Sequence, residues 1–172
     1  MLVSHSSKLV FIHIQKTGGD TISKLLSDSV PDIFRLHAKH GFAVDAVKDL
    51  DHWNEYFKFA FARNPWDRLV SWYSMIREAE TIRWHQALIN RRKRSHLKQT
   101  RENKLWRYVL DNSATFEEFI VNCTDEIEVD RGVYYSFTYN QLDYVTDSNC
   151  EILVDFIGRF ENFASDLLEV YN

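Results

Sequence analysis

The chain is predicted to fold as an α/β protein, a parallel β-sheet flanked by helices on both faces. Three observations predict it. Apolar runs of strand length stand before helix-start signals at two places, Lys8–Ile14 ahead of a Gly-Gly turn and Tyr56–Ala62 ahead of Asn64-Pro65. A third run, Glu151–Ile157, precedes the helical pattern ENFASDLLEV. Mostly apolar runs belong to strands covered on both faces, and alternation of strands with helices builds such sheets.

In order along the chain, KLVFIHI (Lys8–Ile14) is the first strand. DTISKLLSDS follows as a helix because Ile22, Leu25 and Leu26 recur at helical spacing, and Pro31 ends the loop beyond it. VDAVKDL suggests a short helix. YFKFAFA is the second strand, and it stops at RNPWDRLVSWYSMI, where Asn64 can cap a helix and Pro65 take its first position. Residues 81–110 have helix-forming composition around an irregular, charged middle. Thr115 and Glu118 form a capping box ahead of FEEFIVNC. Residues 125–149 read as irregular and polar apart from the aromatic patch VYYSFTYNQ. With no repeat or low-complexity linker, residues 1–172 read as one domain. Ligands of parallel sheets gather at the carboxyl ends of the strands, where Gln15–Thr21 and Arg63 fall.

The composition bounds the function. With 45% hydrophobic and 15% aromatic residues, the 172-residue chain is an ordinary folded protein with a substantial core. Cys123 and Cys150 lie far apart in no metal-like spacing and read as reduced thiols. No 18-residue apolar run codes a membrane span. The start MLVSHSSKLV is too short and polar for a signal peptide, so a cytoplasmic location is expected. The net charge of -4 hides an asymmetry: Arg83 to Arg107 holds nine Lys/Arg and one acid, Glu102, on an otherwise acidic chain. That acidic remainder argues against nucleic-acid binding.

The stretch FIHIQKTGGDT (Phe11–Thr21) carries the chemistry. Its lysine precedes the glycines, whereas nucleoside-triphosphate loops place it after them and before Ser or Thr. Gly18 and Gly19 let the backbone turn tightly with its N–H groups inward, and the helix starting near Asp20 adds its positive dipole end. Lys16 supplies a mobile charge at the edge of this anion cradle. A plain strand–helix connection is the alternative. Arg63 ends the second strand, and Ser71 follows eight residues on, a helical rise of roughly 12 Å, so both can grip one phosphate. Arg68 reads as a structural ion pair with a nearby acid. Two anion sites at neighbouring strand ends suit a nucleotide with phosphates at two places. Apart from Asp155, no acid follows an apolar strand in the manner of a magnesium ligand, so no metal is demanded.

FIHIQKTGGDTI resembles the 5′-phosphosulfate loop of carbohydrate sulfotransferases, especially the heparan-sulfate 6-O type and its bacterial relatives of sulfotransferase family 2. FKFAFARNPWDRLVSWY resembles their 3′-phosphate motif, and NQLDYVTDSNCEILVDFIGRFENFASDL their third shared block. The resemblance implies a P-loop-NTPase-like sulfotransferase fold. It implies in-line transfer of a sulfuryl group from 3′-phosphoadenosine-5′-phosphosulfate (PAPS) to a hydroxyl of a carbohydrate-type acceptor, leaving the bisphosphate PAP. By the same resemblance Gln15, Lys16, Thr17, Gly18, Gly19, Asp20 and Thr21 hold the phosphosulfate, Lys16 acts on the departing phosphate, and Arg63 and Ser71 hold the 3′-phosphate. Gln141, in the third block, is assigned to the acceptor.

The attacking hydroxyl must lose a proton, and histidine is the usual agent near neutral pH. His13 lies inside a strand and reads as structural; His5, His52, His85 and His96 read as surface residues. LHAKHGFAVDAV leaves His37 and His40. Its KHGFA aligns with a Lys-His-Ala-Thr-Ala stretch of the related enzymes, which makes His40 the expected base and His37 the runner-up. Arg91, Arg92 and Arg94, with Lys93 and Lys98, would meet an anionic acceptor or form a solvated helix face.

Two features depart from the resemblance. Asp20 stands where related loops carry Thr or Ser, and a carboxylate there is expected to repel the donor while still serving as a helix cap. Related enzymes also continue past the third block with a segment this sequence does not include. Both features favour the alternative of a nucleotide-binding module that no longer catalyses. A small-molecule kinase is the further alternative, and the missing Gly-Lys-Ser/Thr order argues against it.

Overall fold

The structure is a computed structural model that describes residues 1–89 and 103–171. These residues form two compact units, Met1–Asn64 with Asn140–Asn172, and Pro65–Tyr139.

The first unit is built on a five-stranded sheet of order β3-β1-β2-β4-β7. Three strands are parallel: β2 (Leu9–Ile12), β4 (Phe57–Ala62) and β7 (Phe156–Arg159). Phe11 stands opposite Phe59, and Phe59 opposite Phe156. The other two are antiparallel, β1 (Leu2–Ser4) against β2 and β3 (Phe34–Arg35) against β1. The sheet is therefore mixed, which corrects the expectation of an all-parallel one. The reason is the link His5–Lys8, which is of hairpin length, whereas a parallel return needs a crossover of about a dozen residues or more. Lys8 turns that corner at φ 47°.

Side-chain alternation along the strands feeds two cores. On one face Phe11, Phe59 and Phe61 pack with Ile22 and Leu26 of α1 (Gly19–Ser29) and with Phe163, Leu167 and Val170 of α6 (Phe163–Tyr171). On the other, Val3, Val10, Ile12 and Ala60 pack with Ala43 and Ala46 of α2 (Ala43–Asp49). Helices thus cover both faces, as expected.

The third strand begins later than the sequence suggests. Ile152 forms an isolated bridge with Thr146, and Asp155 is engaged by Lys58. Its carboxylate accepts from the Lys58 backbone N–H at 2.7 Å and pairs with the buried Lys58 ammonium at 2.9 Å. The acid that stood out as a magnesium-like position is a partner for a buried lysine. Among the described residues no group of three or more His, Cys, Asp or Glu is arranged to hold a metal ion.

The second unit holds α3 (Pro65–Ile89), α4 (Lys104–Asn112), α5 (Phe116–Cys123) and a hairpin of β5 (Ile127–Asp130) with β6 (Val133–Tyr135). Leu69, Ile76, Leu105, Val109, Phe119 and Phe137 form its core. Pro65 takes the first helical position as predicted. The capping box holds in part: Thr115 Oγ1 accepts from the Glu118 N–H at 3.2 Å, while the Glu118 carboxylate accepts from Ala114 N–H, one residue before the cap. Arg68 is buried, and its guanidinium donates to the carbonyls of Phe137 and Tyr139 (2.9 and 2.7 Å). The hairpin falls in the segment that read as irregular. Cys123 is buried and Cys150 exposed, both as free thiols. Among the described residues no helix is long and apolar enough to cross a membrane.

Candidate active site

The β2–α1 junction is shaped by three successive constraints. Thr17 is buried and its hydroxyl donates to the Ile14 carbonyl at 2.9 Å, closing the turn after β2. Lys16 adopts φ 67° and Gly18 φ 83°, left-handed conformations that a glycine takes without strain. Gly19 begins α1 directly under the His13 ring: a Cβ there would run into His13 Cδ2 and Nε2. Within the first turn of α1 the Thr21 N–H donates to the Gly18 carbonyl at 3.0 Å. The N–H groups of Gly19 and Asp20 come too early for an intrahelical partner, so this end of the helix offers donors together with the positive end of its dipole.

Arg63, one residue past β4, leans toward the same loop. Its Nη1 donates to the Lys16 carbonyl at 3.4 Å, and its guanidinium lies 4.2 Å over the Phe160 ring. The buried Nε has no hydrogen-bond partner among the described residues. Gln141 fixes the backbone beneath it, accepting from Arg63 N–H at 2.9 Å and donating to Arg63 C=O at 2.7 Å. The amide assigned to the acceptor is thus engaged with Arg63.

The segment carrying His40 is fastened to the start of α1. Lys39 pairs with Asp20 at 2.5 Å, and the His40 ring meets the His13 ring edge-on with centroids 4.5 Å apart. His40 Nδ1 lies 3.0 Å from the His13 carbonyl. A carbonyl only accepts, so Nδ1 carries the hydrogen and Nε2 keeps its lone pair. Burial holds the His40 pKa below its ordinary value; Lys39 adds to this, and the bond to the His13 carbonyl and Asp20 act the other way. His13 is pushed down to about 3, chiefly by burial and then by His40 and Lys39, so it stays neutral. The Asp20 carboxyl is held below the usual carboxylate range, first by its hydrogen bond from Lys39. The negative charge that the sequence places in the anion loop therefore comes with its own counter-ion.

His37, at φ 57°, directs Nε2 to the Asp49 carboxylate at 2.9 Å. His37 and His40 line one open cleft of about 450 Å³ together with Phe42, Asp45, Lys48 and Asp49.

A family model described as "Sulfotransferase family" matches residues 1–172. The chain belongs to the sulfotransferase family. No curated protein and no solved structure matches it. Sulfuryl transfer is accordingly the general chemistry of this sulfotransferase, and a hydroxyl-bearing acceptor is implied.

Of the residues read from the sequence, the first unit of the sulfotransferase brings together the loop Gln15–Thr21, Arg63, Gln141 and His40. Ser71 is half-buried on α3 of the second unit. Arg91, Arg92 and Arg94 lie outside the described residues. Sequence reasoning missed Lys39 and Phe160. Lys39 adjoins His40, and its match to the unusual Asp20 is the signal that could have found it; the aromatic platform under Arg63 has no local signal.

Proposed function

We propose that the chain transfers a sulfuryl group from PAPS to a hydroxyl of a carbohydrate-type acceptor. The observation that supports this best is the fastening of the His40 segment to the start of α1, by Lys39 to Asp20 and by His40 Nδ1 to the His13 carbonyl. It sets a neutral imidazole beside an anion cradle, the pairing that sulfuryl transfer to a hydroxyl requires.

The donor set fits PAPS. It consists of helix N–H groups, the Lys16 ammonium and a stacked guanidinium whose buried Nε lacks a partner among the described residues. The carboxylate within the loop, Asp20, is matched by Lys39, and the Glu161 carboxylate, beside Arg63, accepts from Asn64 N–H at 2.7 Å. In this reading the backbone of Gln15–Thr21 and the Lys16 ammonium bind the phosphosulfate, with Lys16 stabilising charge on the departing phosphate. Arg63 binds the 3′-phosphate, and Gln141 keeps Arg63 in place through its backbone. His40 Nε2 accepts the proton of the acceptor hydroxyl, while Nδ1–H holds the ring in orientation. When bound, PAPS supplies the activated sulfuryl group, and PAP is the product that remains.

Calorimetric titration with PAP, paired with a transfer assay, tests this. Arg63→Ala should weaken PAP binding by roughly tenfold or more, the worth of a charge-assisted hydrogen bond. His40→Ala should bind PAP as the wild type does and lose transfer. Unchanged PAP affinity in Arg63→Ala, or full transfer in His40→Ala, would refute the assignment.

A further inference from the structure

We propose that the cleft beside His40 is the acceptor pocket and that it selects a polyhydroxyl compound without anionic groups, uncharged or amino-bearing. This rests on the proposed role of His40, which lies in the cleft wall and must reach the reacting hydroxyl from there.

Size, shape and charge agree on this class. At about 450 Å³ the cleft falls within the roughly 300–1,000 Å³ common for small-molecule sites. Phe42, 38% exposed, is stacked on the buried Tyr144 ring with centroids 4.7 Å apart and an interplanar angle of 22°. Held flat in this way, it offers a rigid apolar face to the C–H side of a sugar ring.

The polar lining is acidic on balance: Asp45 and Asp49 face one lysine, Lys48. Lys48 sits 3.5 Å from one Asp45 oxygen, and His37 takes one Asp49 oxygen at 2.9 Å. Each carboxylate has a second oxygen and further lone pairs to accept bonds from hydroxyl or ammonium donors. A uronate or sulfated sugar brought into the same cleft would meet like charges, which disfavours it. The charge of the cleft thus runs opposite to the anionic acceptor that the basic run at 91–98 invites.

Binding can be read without any donor present, by following the His40 ring resonances by NMR during titration with three probes. These are cellotetraose, which is neutral, the tetramer of glucosamine, which is cationic, and tetragalacturonate, which is anionic. The expected result is that cellotetraose or the glucosamine tetramer shifts His40 and binds at least roughly tenfold tighter than tetragalacturonate. Asp45→Asn with Asp49→Asn should erase that preference, and Phe42→Ala should weaken whichever sugar binds. Tighter binding of tetragalacturonate, or no response to either of the other two, overturns the proposal. The wild-type ranking decides even if the double variant does not fold. Because no sulfuryl donor is present, a failure of transfer would count against the catalytic role of His40 and leave this ranking to be judged by itself.

Discussion

In the proposed reaction His40 is the neutral imidazole that takes up the proton, and the charges around it would set the pH at which it acts. Four groups face it: Lys39 from its own segment, Asp20 from α1, His13 from the end of β2, and the Met1 ammonium, which donates to the Ala38 carbonyl. Burial lowers the pKa of His40, so the base form persists to pH values below the ordinary imidazole value. The acid limb of kcat/KM should therefore fall below about pH 6.5. Lys39→Met removes a cation that disfavours imidazolium and should move the limb up. Asp20→Asn removes an anion that favours it and should move the limb down. Rate profiles of the three proteins check the order, and coincident limbs would show that the pair does not act on His40.

At the scale of elements, the β2–α1 junction is the tightest fit. Gly19→Ala forces a methyl into the His13 ring, so either the ring or the helix start must move. The expected cost is about 1–3 kcal/mol in chemical denaturation, the range for overpacked sites, with loss of activity because His13 also carries the carbonyl that orients His40. A wild-type-like denaturation midpoint would show that the junction can relax. The same scale separates what was legible in the sequence from what was not. α1, α2 and the start of α3 were readable because spacing, cap residues and Pro65 are local signals. β1 and β3 were not, being three and two residues long with no turn motif between β1 and β2. Apolar Ile152, Leu153 and Val154 suggest an earlier start for the third strand, yet Asp155 is taken by Lys58 and pairing in the sheet starts only at Phe156. In the candidate site, Lys16, Arg63 and His40 are legible from their neighbours in sequence. Phe160 and the Lys39 partnership depend on segments that only the fold brings close.

The whole molecule is organised around one excursion. The first unit is left after Asn64 and re-entered at Asn140, and Gln141 bonds Arg63 on both sides of its peptide, across 78 positions. Each core cluster lies wholly within one unit. Replacing residues 65–139 with a short Gly/Ser linker should therefore leave the mixed sheet folded, seen as a cooperative unfolding transition and dispersed amide resonances. A chain without cooperative unfolding would show that the sheet needs the second unit. Because the ends of the excursion are held side by side, its length is loosely constrained: by loop-closure entropy each doubling costs only about 0.6 kcal/mol. Gln141 thus acts as a clasp, and the stretch it closes off is a cassette that can be lengthened, trimmed or exchanged while the sheet beneath keeps its register.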